Sequence, residues 1–316
     1  MTAPGLRARL YVLGVPVDFE TNDQTVIRAL ADSLSAVGPA QPSEVPPPHV
    51  PAIRLWLADH DTGSASAVSF HTSAPHVLDI EGPGFHGRAD AQAGRASCTL
   101  TGAALDDRDR FQDTILATLM LFLVTRLDRQ PFHAAALQAH GRGVLLTGPS
   151  GAGKSTLAYA ALRRGWNIRS DDTVYLQSKP NLRIWTRPTR LHLSPDAALW
   201  FDELAHQSPV PRDAGKWKLV VRVMQSDPSP PPLEQALTCF LERSTGAPTT
   251  RRLSVDDAIA RSLRNMESGF SAFRASIEPV LHTLISQNGA WLVHTGSDPR
   301  LAVLALEQLL DSNAPT

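Results

Sequence analysis

The sequence predicts an α/β domain preceded by a smaller α+β domain, and three observations carry that prediction. A glycine-rich run, Gly148-Pro149-Ser150-Gly151-Ala152-Gly153-Lys154-Ser155-Thr156, sits between a short apolar run and a helical one. An adjacent acidic pair, Asp171-Asp172, closes the short stretch that follows that helix. Ahead of both, the residues up to about 105 read as short strand candidates around one helix, with a proline-rich segment among them.

In chain order, Leu6 to Val17 reads as a strand, and Asn22-Asp23 can cap a helix running through about Leu34. Residues 38–51 are proline-rich, cannot donate a regular ladder of hydrogen bonds, and read as a surface linker. Strand candidates follow near Ile53–Leu57, Ala67–His71, His76–Ile80, Phe85–Ala89 and Ala96–Leu100, completing an N-terminal α+β domain over 1–105. The second domain, 106–316, opens with Asp106-Asp107 and an apolar helix at Arg108 to Leu127. Its most apolar part, Ile115 to Val124, falls short of the roughly 20 residues a membrane span requires and reads as a buried helix.

His133 then opens a small apolar stretch. A hairpin-like connection through Ala139-His140-Gly141-Arg142-Gly143 would return the chain antiparallel and bring His133 near the outgoing end of the next strand. That strand, Gly143 to Thr147, is a short apolar run of the kind a parallel sheet covers on both faces. Thr156 to Arg164 places Leu157, Ala160, Ala161 and Leu162 on one helical side and stops at Gly165. Thr173–Leu176, Leu182–Trp185 and Lys218–Val223 suggest strands, and Pro195–Leu204 a short helix. The loops 208–216 and 226–232 are long enough to cover a site or to decorate the surface. Leu237–Leu241 is a strand candidate, Ser254 begins a largely helical stretch to about Gln287, Trp291–His294 is a late strand, and Asp298 caps a final helix through Leu310. Asp256-Asp257 repeats the adjacent-acid pattern but opens a helix, where negative charge is favoured without a metal, so it is left out of the site.

The glycine-rich run fits G-x-x-x-x-G-K-[ST] in the strand–loop–helix context that the pattern needs. Glycines let consecutive backbone N–H groups turn toward one concave point, and the following helix adds its partly positive N-terminus, so the loop suits a polyphosphate. Lys154 would reach the terminal phosphates, and the Ser155 hydroxyl is placed to complete a magnesium shell. Ligands of open α/β sheets collect outside the carboxyl ends of the strands. One acid of Asp171-Asp172 can therefore face a metal-bound phosphate while the other faces an incoming substrate, although an arbitrary Asp-Asp more often caps a turn.

The whole chain sets bounds on partners. Its 316 residues are 42% hydrophobic and 19% charged, enough for two domains with a real core. A net charge of −1 gives no broad attraction for nucleic acid or an anionic membrane, so any basic site must be local. Cys98 and Cys239 are isolated, with neither metal-type spacing nor a disulfide framework, and point to a reducing, cytoplasmic setting. The N-terminal Arg7 and Arg9 precede an apolar run, but no cleavage region follows, and no export signal is expected.

Taken together, His133, the loop Gly148 to Ser155, and Ser170-Asp171-Asp172 resemble the catalytic core of the HPr kinase family, at intervals that family shares. The resemblance covers roughly residues 110–200. It implies a fold like that of phosphoenolpyruvate carboxykinase, ATP as donor with Mg²⁺, and a hydroxyl as acceptor. It also implies Asp171 as general base, Asp172 as a magnesium-side carboxylate, and His133 as a polar contact to the transferring phosphoryl group. The pattern is closer to HPr-kinase-related proteins of peptide-modifying or other biosynthetic systems, whose acceptor is a peptide serine or a small-molecule hydroxyl. The family also raises a homo-oligomer as an expectation.

The expected function is thus that of an ATP-dependent kinase, transfer of the γ-phosphate of ATP to a hydroxyl, first of all a serine of a peptide or protein and alternatively a small-molecule hydroxyl, with Arg187, Arg190 and Lys216 as candidate cations beside the phosphates. A nucleotide-binding regulatory module that performs no transfer is the competing reading. Motor ATPases and GTPases rank lower, since neither L-S-G-G-Q nor N-K-x-D occurs. Carboxykinase chemistry on a keto acid is suggested by the shared fold alone.

Overall fold

The computed structural model describes residues 5–33, 47–60, 65–187, 190–211, 217–223 and 231–313. Residues 38–46 of the expected linker, residues 226–230 of the second long loop, and Lys216 lie outside the described residues. Contacts divide the chain into two compact units, one formed by Met1–Arg129 with Asp227–Pro231 and the other by Gln130–Ser226 with Pro232–Thr316.

In the first unit the expected strand at Leu6 to Val17 is a hairpin, β1 (Leu6–Val12) and β2 (Val15–Thr21). Leu13 and Gly14 both take positive φ, 50° and 76°, the two-residue turn whose twist matches that of the strands it joins. The helix α1 (Gln24–Ser33) starts after Asp23, whose carboxylate accepts the Thr25 N–H at 2.6 Å. Then come β3 (Ala52–Ala58), β4 (Ser69–Ala74), β5 (Val77–Gly82), β6 (Phe85–Asp90) and β7 (Arg95–Thr101). Among the described residues they form a seven-stranded sheet in the order β1-β2-β3-β7-β6-β5-β4. Phe19, Ile53, Leu55, Phe85 and Leu100 alternate into its core. The opposite face carries Arg7, Glu20, Arg54, Ser97, Arg88 and Asp79 in one row across the strands. Opposite charges thus stand side by side there, with Arg54–Glu20 at 2.8 Å and Arg88–Asp79 at 2.9 Å.

The unit continues through α2 (Gly102–Asp106), a π-helical stretch at Arg110–Leu116 and α3 (Ala117–Val124). The sequence places this apolar helix at the head of the second domain, whereas the compact division falls after Arg129 and α3 packs against β1, β6 and β7. A helix this apolar carries no stripe to mark which sheet it covers. Arg129 closes the unit, buried, with its Nε donating to the Leu13 carbonyl at 2.7 Å.

The second unit begins with β8 (Gln130–His133), β9 (Ala135–Ala139) and β10 (Arg142–Thr147), followed by α4 (Lys154–Arg163) and β11 (Asn167–Ser170). Next are β12 (Thr173–Gln177), β13 (Arg183–Thr186), β14 (Arg190–Leu193), β15 (Val210–Pro211), β16 (Trp217–Arg222), β17 (Ala236–Glu242) and β18 (Thr249–Arg252). The unit ends with α5 (Val255–Arg264), α6 (Arg274–Asn288), β19 (Ala290–His294) and α7 (Pro299–Ser312). Its six-stranded sheet, counted over the described residues, runs β11-β9-β10-β17-β19-β18. The strands β10, β17 and β19 are parallel, and β9 is antiparallel to both β10 and β11, so β11 points the same way as β10.

Successive side chains of β10 enter different cores. Val144 and Leu146 pack with Leu157, Ala161, Leu306 and Leu310 from α4 and α7, while Leu145 packs with Leu281 and Leu284 from α6. The molecule is therefore mixed α/β with several sheets, this one covered on both faces. The expected helix at Pro195–Leu204 is instead two short 3₁₀ turns, Pro195–Leu199 and Asp202–Leu204. No helix among the described residues is long and apolar enough to cross a membrane.

Candidate functional site

The site lies where β10 and β11 end. Beyond Thr147 the chain turns through the glycine-rich loop, with φ of 82° at Gly151 and 98° at Gly153, conformations an L side chain adopts only with strain. A Cβ at either position would meet nothing within 4 Å, so backbone conformation and not crowding is what calls for glycine there. Lys154 starts α4, is 8% exposed, and its Nζ donates to the carbonyls of Gly148 at 2.8 Å and Pro149 at 3.4 Å. Burial lowers its pKa, and the carboxylates of Asp172, Glu267 and Asp171 pull in the opposite direction.

The expected hairpin is present, with Leu146 opposite Ala135 and a tight turn at His140 and Gly141, where φ is 50° and 75°. It puts His133 beside the outgoing end of β10, where the Thr147 hydroxyl donates to the His133 carbonyl at 3.1 Å. His133 is also paired with Thr173, the first residue of β12, so the Asp171-Asp172 turn between β11 and β12 is held against it. The Ser170 hydroxyl closes that turn on the Thr173 carbonyl at 2.6 Å.

The two acids diverge. Asp171 is 5% exposed and accepts the His192 backbone N–H at 2.9 Å, with the His192 ring nitrogen at 3.4 Å. Asp172 has a largely exposed side chain whose Oδ1 lies 3.4 Å from His133 Nδ1. One carboxylate is thus fixed by a backbone N–H, and the other is exposed beside His133.

A cavity of about 500 Å³ joins these groups. Of the residues expected from sequence, His133, Ser150, Gly151, Gly153, Lys154, Ser155, Thr156, Asp171 and Asp172 line it. Gly148, Pro149 and Ala152 do not. The first two offer their carbonyls to Lys154, and Ala152 is buried in the core beside α4. Arg187 and Arg190 reach the cavity, and Lys218 lines it as well. Tyr175 forms part of the wall, with its pKa raised by burial and drawn back by the neighbouring Arg187.

Sequence reasoning missed His192, Arg243 and Glu267, which also line the cavity. His192 alternates with the buried Leu191 and Leu193 on a four-residue strand, a faint period-two signal. Arg243 directly follows β17, the strand paired in parallel with β10, so it emerges at the same sheet end as the loop. Glu267 carries no local signal at all. A wider concavity of about 870 Å³ lies on the strand face of the first unit, but Arg9, Arg54 and Arg88 there are neutralised by Asp18, Glu20 and Asp79.

No family model matches the chain. Part of it is similar to curated HPr kinase/phosphorylases. Over 71 residues it is 32% identical to the protein of Streptococcus sanguinis (strain SK36), covering 22% of this chain and 23% of that one. Over 74 residues it is 32% identical to the protein of Streptococcus pneumoniae (strain Hungary19A-6), covering 23% and 24%. The similarity therefore spans about a quarter of the length of those relatives.

Proposed function

We propose that the chain is a nucleotide-dependent phosphotransferase of the HPr-kinase-related type, with a P-loop kinase fold in its second unit. It moves the γ-phosphate of ATP to a hydroxyl, first of all a serine of a peptide or protein. The observation that carries this reading is the convergence of Lys154, His133, Asp171 and Asp172 on one cavity at the carboxyl ends of strands that run in one direction. The partial likeness to proteins named as kinases agrees with it.

In this reading the loop's backbone N–H groups and the first turn of α4 bind the phosphates, and Lys154 exchanges its loop carbonyls for phosphate oxygens. Asp171, held in place by the His192 N–H, orients the acceptor hydroxyl and takes its proton. His133 bears on the transferring group from the end of β8, and Arg187 and Arg243 add positive charge to the cavity. Magnesium fits the residues present, since Ser155 and the exposed Asp172 carboxylate face the same cavity; when bound, it supplies charge neutralisation between the phosphates.

One observation favours a small-molecule acceptor as the second reading. Arg190, His192 and Lys218 share the cavity with Asp171, a setting suited to an anionic group beside the accepting hydroxyl. Incubation with γ-labelled ATP and separate pools of serine peptides and hydroxylated metabolites tests both. Label on either acceptor, lost in Asp171→Asn, supports transfer; nucleotide binding with no label on any acceptor supports the module without transfer.

A further inference from the structure

Glu267 heads the 3₁₀ turn Ser268–Phe273 between α5 and α6, far along the chain from His133 and Asp172, yet its carboxylate meets both. Glu267 Oε1 lies 3.1 Å from His133 Nδ1, and Asp172 Oδ1 lies 3.4 Å from the same nitrogen. One donor atom from each of the three side chains falls within 4.8 Å of the others. The imidazole nitrogen is enclosed, but it makes no hydrogen bond with either carboxylate. Two ligands each about 2.1 Å from one ion, and about 90–110° apart, lie roughly 3.0–3.4 Å from each other. The contacts to His133 therefore have the spacing of neighbouring ligands around a cation.

The donor set also selects among ions. Magnesium favours an all-oxygen shell with several waters, whereas one imidazole nitrogen with two carboxylates suits first-row transition metals. We propose that His133, Asp172 and Glu267 form a binding site for a divalent transition metal that fills without nucleotide. The site stands on these three side chains and does not rest on phosphoryl transfer. The carboxylates of Asp172 and Glu267 are about half exposed or more, which leaves the ion's remaining positions to water or to an anionic ligand. Glu267 is then the residue that ties the segment between α5 and α6 to the end of β8. The competing arrangement is an imidazolium shared by two acids, which binds no metal.

The test is titration of the full chain, stripped of metal with a chelator, with Mn²⁺ in the absence of nucleotide, read by electron paramagnetic resonance. One bound ion with nitrogen hyperfine coupling from an imidazole is the expected result in the unaltered chain, a readout that needs no variant. Glu267→Gln should weaken binding roughly tenfold or more. His133→Gln should remove the nitrogen coupling, while Ser155→Ala should retain both ion and coupling. Circular dichroism checks that each variant is folded. No bound ion, an ion without nitrogen coupling, an affinity indifferent to Glu267→Gln in the folded variant, or an ion lost in Ser155→Ala would overturn the site. A chain that transfers phosphate but fails this titration loses only the metal site, and the reverse outcome removes only the transfer.

Discussion

At the scale of single residues, the cavity gives neighbours in sequence different surroundings. Asp171 is buried and fixed by His192, while Asp172 projects toward His133. If Asp171 takes the acceptor's proton and Lys154 neutralises phosphate charge, Asp171→Asn and Lys154→Ala should each slow transfer by roughly 10²–10³, about 2–4 kcal/mol of barrier. Single-turnover assays with γ-labelled ATP check this, and an Asp171→Asn protein with undiminished turnover would remove the base assignment. The cysteines make a second case. Burial pushes the thiols of Cys98 and Cys239 from 9.0 up to about 12, so at pH 8 the folded chain holds only about one thiolate in 10⁴. Iodoacetamide at that pH should leave both untouched in the native protein and label both after unfolding, as read by mass spectrometry. Because the folded thiols keep their protons to about 12 while unfolded ones release them near 9, the stability linked to them is intact below pH 9 and is lost as pH climbs from 9 to 12.

At the scale of elements, caps and turns carry much of what the sequence announces. Ser254 accepts the Asp257 N–H at 3.1 Å and donates to the Asp257 carboxylate at 2.8 Å, so the acidic pair there serves the start of α5, and neither acid lines the cavity beside the glycine-rich loop. Ser254→Ala should destabilise the chain by about 1 kcal/mol in urea titration. In the glycine-rich loop, Gly153→Ala forces a Cβ onto a left-handed residue, costing about 1–2 kcal/mol, and also adds a methyl group at a residue that lines the cavity. Nucleotide affinity should therefore fall more than stability does, a difference that calorimetry and thermal unfolding measured side by side would expose. The elements that sequence reading missed are the ones with weak patterns. The edge strand β18 is four exposed residues, Thr-Thr-Arg-Arg, with no apolar alternation to reveal it, and β14 is only four residues long. The hairpin β1–β2 looks like one strand in sequence because its turn residue Leu13 is apolar, and the structure shows it fully buried.

At the scale of the whole molecule, a site assembled from β8, the loop before α4, the β11–β12 turn, β14 and the segment after α5 should gain rigidity when its ligand binds. ATP with Mg²⁺ at about 100 times its dissociation constant should stabilise the chain by ~2.7 kcal/mol, seen as a rise in thermal midpoint that Lys154→Ala diminishes; GTP in a parallel series reports the donor. The local arrangement around the loop was legible in sequence because it depends on spacing within short segments. A strand, a glycine turn and a helix start lie within twenty residues of each other, and a two-residue hairpin brings His133 to them. From residue order alone one could obtain the glycine loop with Lys154, the acids that follow α4, and most of the strands that hold them. Tertiary structure alone decided that α3 packs with the first sheet and that Glu267, Arg243 and His192 enter the cavity. The physical reason is range: turn and helix preferences act over a few neighbours, whereas which side chains face one cavity is settled by long-range strand pairing and the burial of apolar faces.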